Sequence, residues 1–512
     1  MKTNKYVIHS VVARKLFHRI HLGYLIPFLM LFAFGVSSTK AQGSTFWAVQ
    51  ERIPETFDYT EEPPFLIADL NHTVHAFNSQ PLDLLNPDSQ RAVFYRRWTI
   101  ESGWTFPNDI LFDADGTIFL LGAVGDQAGK AHLALLYDQG LYYSQAFLSR
   151  AGDSSAWSTP LFLGTNVRNP TTGFERVGSI TADASGTNIA IIYSGSENGS
   201  GLYSVHSSDG GNNWTHPYPI FLASDNTLAI SDPKAYSGES GMIHAVWGTR
   251  NKEGHGELGF YANFNHEDNI WSEPIELDTS GLGAPSVIEH DGKIFVTYIL
   301  NKVNANLWRL SNDGGKTWTN PGRLSPPHVG SNGLVSFIVD SSNTLHAFFG
   351  QRIDDNNHGM WHTTWTGYGW TTAEAVVRGK KITDVIGGRG FDPNAARAVI
   401  VNGNVAVVAW GTDGSSGTNG AWYSYKRFDV PELPSQPLPT PPPTAEQIKT
   451  DSMPFATEIL LPESSSTSIP QNILNAPRST GNPQIGILIG VFPVLVFVIV
   501  MLVLRFIHVR NK

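Results

Sequence analysis

Tryptophan recurs at Trp104, Trp157, Trp214, Trp271, Trp318 and Trp370, 47 to 57 residues apart. Each copy opens a short strand-like ending: WTFPNDIL, WSTPLFL, WTHPYPIFL, WSEPIEL, WTNPGRL and WTTAEAVV. Self-similarity at this period restricts the chain to an array of supersecondary units that bury their faces against one another. A second marker repeats in phase, a polar turn followed by an apolar strand. Its seven copies are ADLNHTVHAF from Ala68, DADGTIFLL from Asp113, ADASGTNIAII from Ala182, SGESGMIHAVW from Ser237, EHDGKIFVTY from Glu289, VDSSNTLHAFF from Val339 and VNGNVAVVAW from Val401. Turns of this kind between β-branched and aromatic runs signal hairpins. Seven turns and six endings leave the last blade, which stops at AWYSYKRF (Ala421 to Phe428), without its final strand. The missing ending lies at the other end of the chain, in STFWAVQERI from Ser44 to Ile53, with Trp47 in place. An N-terminal strand completing the last blade removes two open edges. The chain is therefore read as all-β: a seven-bladed propeller over residues 44–429, with six blades as the alternative if one weak repeat is an insertion.

The flanks carry different signals. Residues 1–41 combine a basic start, the apolar run LGYLIPFLMLFAFGV from Leu22 and an A-x-A-like TKA site, which predicts a signal peptide. Residues 430–484 are rich in Pro and Ser, the composition of an extended stalk. Ile485 to Leu504 is a 20-residue uncharged run followed by Arg505, Arg510 and Lys512. That pattern predicts a transmembrane helix with a basic cytoplasmic tail over 505–512. The chain is thus expected to be exported and tethered to a membrane through one C-terminal helix, with the propeller extracytoplasmic. Export with no Cys leaves disulfides out of its stability. A net charge of −10 argues against a nucleic-acid partner.

Two endings are preceded by a fuller phrase, SSDGGNNW and SNDGGKTW. In each, Asp accepts bonds from amides of its own turn, Gly permits positive φ and Trp fills the gap between strands. The phrase reads as a turn staple, so Asp313→Ala should lower stability. The copies at Ser207, Asp209, Gly211, Trp214 and at Ser311, Asp313, Gly315, Trp318 resemble the Asp box of the sialidase superfamily, and the degenerate endings extend the resemblance over the whole propeller. The family's catalytic set is an arginine triad for a carboxylate, an Asp acid/base and a Tyr nucleophile paired with Glu. Its first arginine lies in an x-R-I-P motif, matched here by ERIP at Glu51 to Pro54. The repeat count instead sets Arg52 on an outer strand, where it suits a rim salt bridge.

Propeller topology puts the turns between strands 1 and 2 and between strands 3 and 4 on one face, with the 2–3 and 4–1 connections on the other. Three 2–3 connections share a pattern: WGTRNKEGHGELGFY from Trp247, FFGQRIDDNNHGMW from Phe348 and WGTDGSSGTNGAWY from Trp410. With the 4–1 segment VRGKKITDVIGGRGFDP they gather Arg250, Arg352 and Arg389 into an expected basic cup for a carboxylate or sulfate. Asp354 and Glu257 lie beside it, and Trp247 and Trp410 are expected to offer faces to a sugar. As a loop charge, Arg352 is expected to add little to stability. No Tyr is well placed beside a Glu, so no catalytic residue is assigned. His75, His244 and His346 recur in "HA" strands, one per blade, without metal-ligand spacing, and read as structural. Neither metal nor cofactor is expected. The leading expectation is a binder of a glycan or another surface ligand; the alternatives are an exo-α-sialidase or related glycosidase and a protein-binding receptor.

Overall fold

The computed structural model describes residues 46–439, less 59–62, 87, 114–115, 139, 169–176, 225–227, 301–304, 325–329, 355–356, 380–391 and 413–419. The expected signal peptide, the expected stalk beyond residue 439, the apolar run 485–504 and the residues 505–512 lie outside the described residues, as does Arg389. Seven antiparallel sheets form seven blades, each of four strands, two of them with a short fifth segment. The inner strands are Phe65–Ala68, Ile118–Gly125, Gly178–Ala182, Ala229–Ser237, Gly283–His290, Gly330–Val339 and Pro393–Val401. They pack in chain order around a ring, and the last closes on the first. Among the described residues the helices are two 3-10 turns, Leu148–Arg150 and Ser154–Ala156. None is long and apolar enough to cross a membrane.

The second strands show why blades form. Ile189–Gly195 (IAIIYSG) and Val405–Thr412 (VAVVAWGT) carry no charge and are buried at every position. A continuous apolar run suits a strand covered on both faces, and each blade is covered by its two neighbours. The core accordingly lies between blades. One cluster joins Phe77 and Val93 of blade 1 to Leu133 and Leu135 of blade 2, and another joins Val74 and Trp98 of blade 1 to Val405 and Tyr423 of blade 7.

Closure follows the expectation. Glu51 and Arg52 pair with Tyr423 and Trp422 of the last blade. The Ala48 amide donates to Tyr425 O (2.9 Å), and Trp47 meets Phe348 and Phe428 edge-on at 5.7 and 6.4 Å. One marker is corrected. The strand after DADG, Ile118–Gly125, is the inner strand of blade 2, so this turn is a 4–1 connection. The true 1–2 turn of blade 2 spans 126–129 and leads into Lys130–Tyr137. Both turns are short, acidic and Gly-containing, so composition does not separate them.

The two fuller phrases act as staples. Asp313 Oδ1 accepts from the Thr317 amide (2.9 Å), Ser311 Oγ from the Gly315 amide (2.8 Å), and Trp318 Nε1 donates to Gly315 O (3.0 Å). Asp209, Ser207 and Trp214 repeat the arrangement. Both Asp carboxylates are exposed rather than buried, so water can replace some of what Asp313→Ala removes. These turns also seal their neighbours. In blade 4, His244 bridges Glu289 (3.3 Å) and the Tyr261 hydroxyl (2.8 Å), and Trp318 of blade 5 packs 4.9 Å from Tyr261. In blade 2, His132 bridges Asp126 (3.0 Å) and Tyr143 (2.7 Å), beneath Trp214 of blade 3 at 4.8 Å. Blade 1 has Asp69–His75–Tyr95, and blade 6 has Asp340–His346–His362. The "HA" histidines are thus buried inter-strand bridges. A fourth, His132 in KAHLAL, escaped the sequence pattern because Leu replaces the Ala after it.

The first residues of the expected stalk lie against the propeller on the 1–2 face. Leu433 N donates to Asn402 O (2.7 Å, blade 7), Gln436 N to Leu70 O (2.8 Å, blade 1), and Ser149 Oγ to Pro439 O (3.0 Å, blade 2). Ser341 of blade 6 donates to Pro431 O. Proline has no amide to donate, so the strap docks through the amides of its non-proline residues Leu433 and Gln436 and through the carbonyls of Pro431 and Pro439.

Candidate functional site

The 2–3/4–1 face is shaped by repeated bulges. The inner strands of blades 4, 5, 6 and 7 break register near their starts, between Ser231 and Lys234, Gly283 and Ser286, Asn332 and Ser336, and Asn394 and Arg397. At each break one residue takes left-handed backbone: Asp232 (φ 50°), Ala284 (44°), Gly333 (66°) and Ala395 (52°). Bulges bend a strand and re-aim its side chains. Here the bends stand at the mouth of the ring.

Two arginine–aspartate pairs occupy this mouth. Arg250, ending the second strand of blade 4, donates to Asp232 Oδ2 at 2.8 Å; the Asp side chain is 10% exposed and the Arg 39%. Arg168 approaches the same pair and donates to Ile230 O at 2.8 Å. Burial, together with the like charge of Arg250, lowers the Arg168 pKa, and Asp232 offsets part of this. In blade 6, Arg352 grips Asp392 with two nitrogens, Nε at 2.9 Å and Nη2 closer still, and Asp392 is 2% exposed. His358 Nδ1 lies 3.4 Å from the same carboxylate. Burial works to raise the Asp392 pKa, but the bonds from His358 and Arg352 outweigh it and hold the group below the usual carboxylate range.

The expected cup is therefore corrected in kind. Among the described residues, Arg250 and Arg352 are charge-paired, and each Asp sets the plane of its guanidinium. Trp247 and Trp410 offer no face to a ligand: both are wholly buried, and Trp247 stacks on Phe260 at 5.6 Å inside the blade interface. The W-G-T strand ends look like loop starts in sequence, but their indoles point between blades. Glu257 is half-buried and accepts from Asn251 (2.7 Å); Asp354 is exposed and accepts from Asn357 (2.9 and 3.0 Å). Arg168, Asp232 and Asp392 were missed. Their signal was available in part, since Asp232-Pro233 within the inner strand of blade 4 and Asp392-Pro393 at the start of that of blade 7 are both Asp-Pro dipeptides.

Arg52 lies on the outer strand, bonded to Asp58 and to Thr56 O (2.7 Å), in the rim role read from the repeat count. One Tyr–Glu contact went unanticipated: the Tyr423 hydroxyl donates to Glu51 Oε2 at 2.8 Å. Tyr423 is 4% exposed and packs edge-on against Trp104 (5.6 Å), with its phenol pushed far up by burial and then by the Glu51 charge.

No protein-family model matches the sequence, and no curated protein matches it. The fold is similar to several solved structures at low identity. A protein of unknown function from Dyadobacter fermentans is 15% identical, with 75% of this chain and 98% of that one covered and a TM-score of 0.46. An ulvan-degrading polysaccharide lyase is 12% identical over 74% and 97%, with a TM-score of 0.44. The intramolecular trans-sialidase of Ruminococcus gnavus is 12% identical over 77% and 99%, with a TM-score of 0.42.

Proposed function

We propose that this chain is an exported, sialidase-like glycan-binding propeller, tethered to a membrane through residues 485–504, that takes its ligand on the 2–3/4–1 face. The observation that carries the reading is the pair of Asp-held guanidiniums, Arg250 and Arg352, at the mouth of the ring. A guanidinium whose plane is already set loses less freedom when it meets a carboxylate, sulfate or hydroxyl. Arg168 adds a third cation, and Asp354 and Glu257 belong to the same polar surface; the sequence adds Arg389 to the proposal from outside the described residues. Trp247 and Trp410 support it from behind.

A glycan array probed with the purified chain tests this. Binding to acidic glycans is expected, weakened about tenfold or more in Arg250→Ala, the scale of one charge-assisted bond. An array without signal, or an Arg250→Ala protein with unchanged affinity, rules the reading out. A hydrolytic second reading is favoured by one contact, Tyr423 to Glu51. It requires the buried phenol to become reachable, and sialoside turnover abolished by Tyr423→Phe would replace the binding reading.

A further inference from the structure

The four histidine bridges are not sealed alike. In blades 2 and 4 a staple turn from the next blade closes the bridge, with Gly211 and Gly315 set so close that a Cβ would fall 2.4 and 2.3 Å from Tyr143 and Tyr261. Blade 1 differs. Its neighbour contributes the two 3-10 turns, tied by an Arg150–Asp153 ion pair (2.6 Å), and Trp157 packs on Phe77 (5.8 Å). Over Asp69, His75 and Tyr95 a cleft of about 660 Å³ remains, walled by Arg97, Phe106 and Arg150 and closed on one side by Leu438 of the strap. Such a volume suits a ligand of one or two sugar rings.

The wall has a recognisable chemistry. Arg97 is exposed, and no carboxylate bonds it among the described residues. Its charge is felt at the Tyr95 hydroxyl beneath. Phe106 is 74% exposed, so its ring face is open to a ligand in the cleft. Thr105 and Asn108 flank Phe106 in sequence and line the same cleft.

We infer that the blade 1–blade 2 cleft is a second ligand site, on the face opposite the mouth, for a carboxylate-bearing sugar. The acid group meets Arg97, the apolar face of the ring lies on Phe106, and the hydroxyls reach Thr105 and Asn108. Because Leu438 forms one wall, the site is complete only when the strap is docked.

The test titrates the full-length chain with digalacturonate, using lactose as the neutral control, by calorimetry. Digalacturonate should bind at least tenfold more tightly than lactose. Arg97→Ala should lower its affinity tenfold or more at an unchanged melting temperature, since Arg97 is exposed; Arg97→Lys should retain part of it. Leu438→Ser should weaken binding several-fold, and the loss caused by Arg97→Ala should be the same size in a chain that already carries Arg250→Ala. Equal affinity for both sugars, no digalacturonate binding, or an Arg97→Ala protein that binds like the parent overturns the site. Loss in Arg250→Ala with retention in Arg97→Ala moves the binding to the opposite face and overturns this site while supporting the other.

Discussion

Arg352 carries more of the fold than a loop charge would. Asp392 is almost fully buried, and removing its partner leaves an uncompensated charge there. Arg352→Ala should cost about 3 kcal/mol, at the lower end of the range for broken buried pairs because the Arg itself is partly exposed. Arg352→Ala with Asp392→Ala should recover part of that loss. Denaturant unfolding of the two variants decides the point, and an Arg352→Ala chain as stable as the parent contradicts it. At this scale the sequence was only partly legible. The arginines were found because 2–3 connections can be counted. Their carboxylates were missed because Asp232 reaches Arg250 from a bulge in the inner strand of blade 4, and Asp392 reaches Arg352 from the blade next to it, just before the inner strand of blade 7.

At the scale of elements, the repeats were legible because each is local. A turn, a strand and a Trp ending lie within one blade. The histidine bridges were less so, since their partners come from other strands or from the next blade. Blade 6 gives a pH signature. His346 is held between Asp340 (3.1 Å) and His362 (2.9 Å), and His362 bonds Glu374, which Lys426 also meets at 2.8 Å. Burial, then the like charge of His362, lowers the His346 pKa from 6.5 to about 4. The folded chain therefore refuses a proton that the unfolded chain accepts, and stability falls as pH drops from about 6.5 to about 4. Glu374, held at about 2 by the His362 and Lys426 bonds, extends the loss below its ordinary 4.5. Melting curves across pH 7.5 to 4 should show His346→Asn, which cannot titrate, losing less stability than the parent by on the order of 3 kcal/mol. Equal slopes would count against the bridge.

For the whole molecule, ring closure was legible from counting and the strap was not. Pro-rich composition predicts an extended chain but says nothing of what it lies on. Removing residues 43–52 takes away the outer strand of blade 7, including Trp47, and bares Trp422 and Tyr423. Melting should fall by roughly 5–10 °C, with aggregation from the open edge; an unchanged melting temperature would show that the seam closes without it. The strap crosses this same seam from blade 7 to blades 1 and 2. A pull on the tail from beyond residue 439 therefore meets Pro439, then Gln436, then Leu433, one anchor after another. If the chain is tethered there as proposed, tension would peel these bonds in series before it loaded blade 7, a strain relief for the joint where the circle was made.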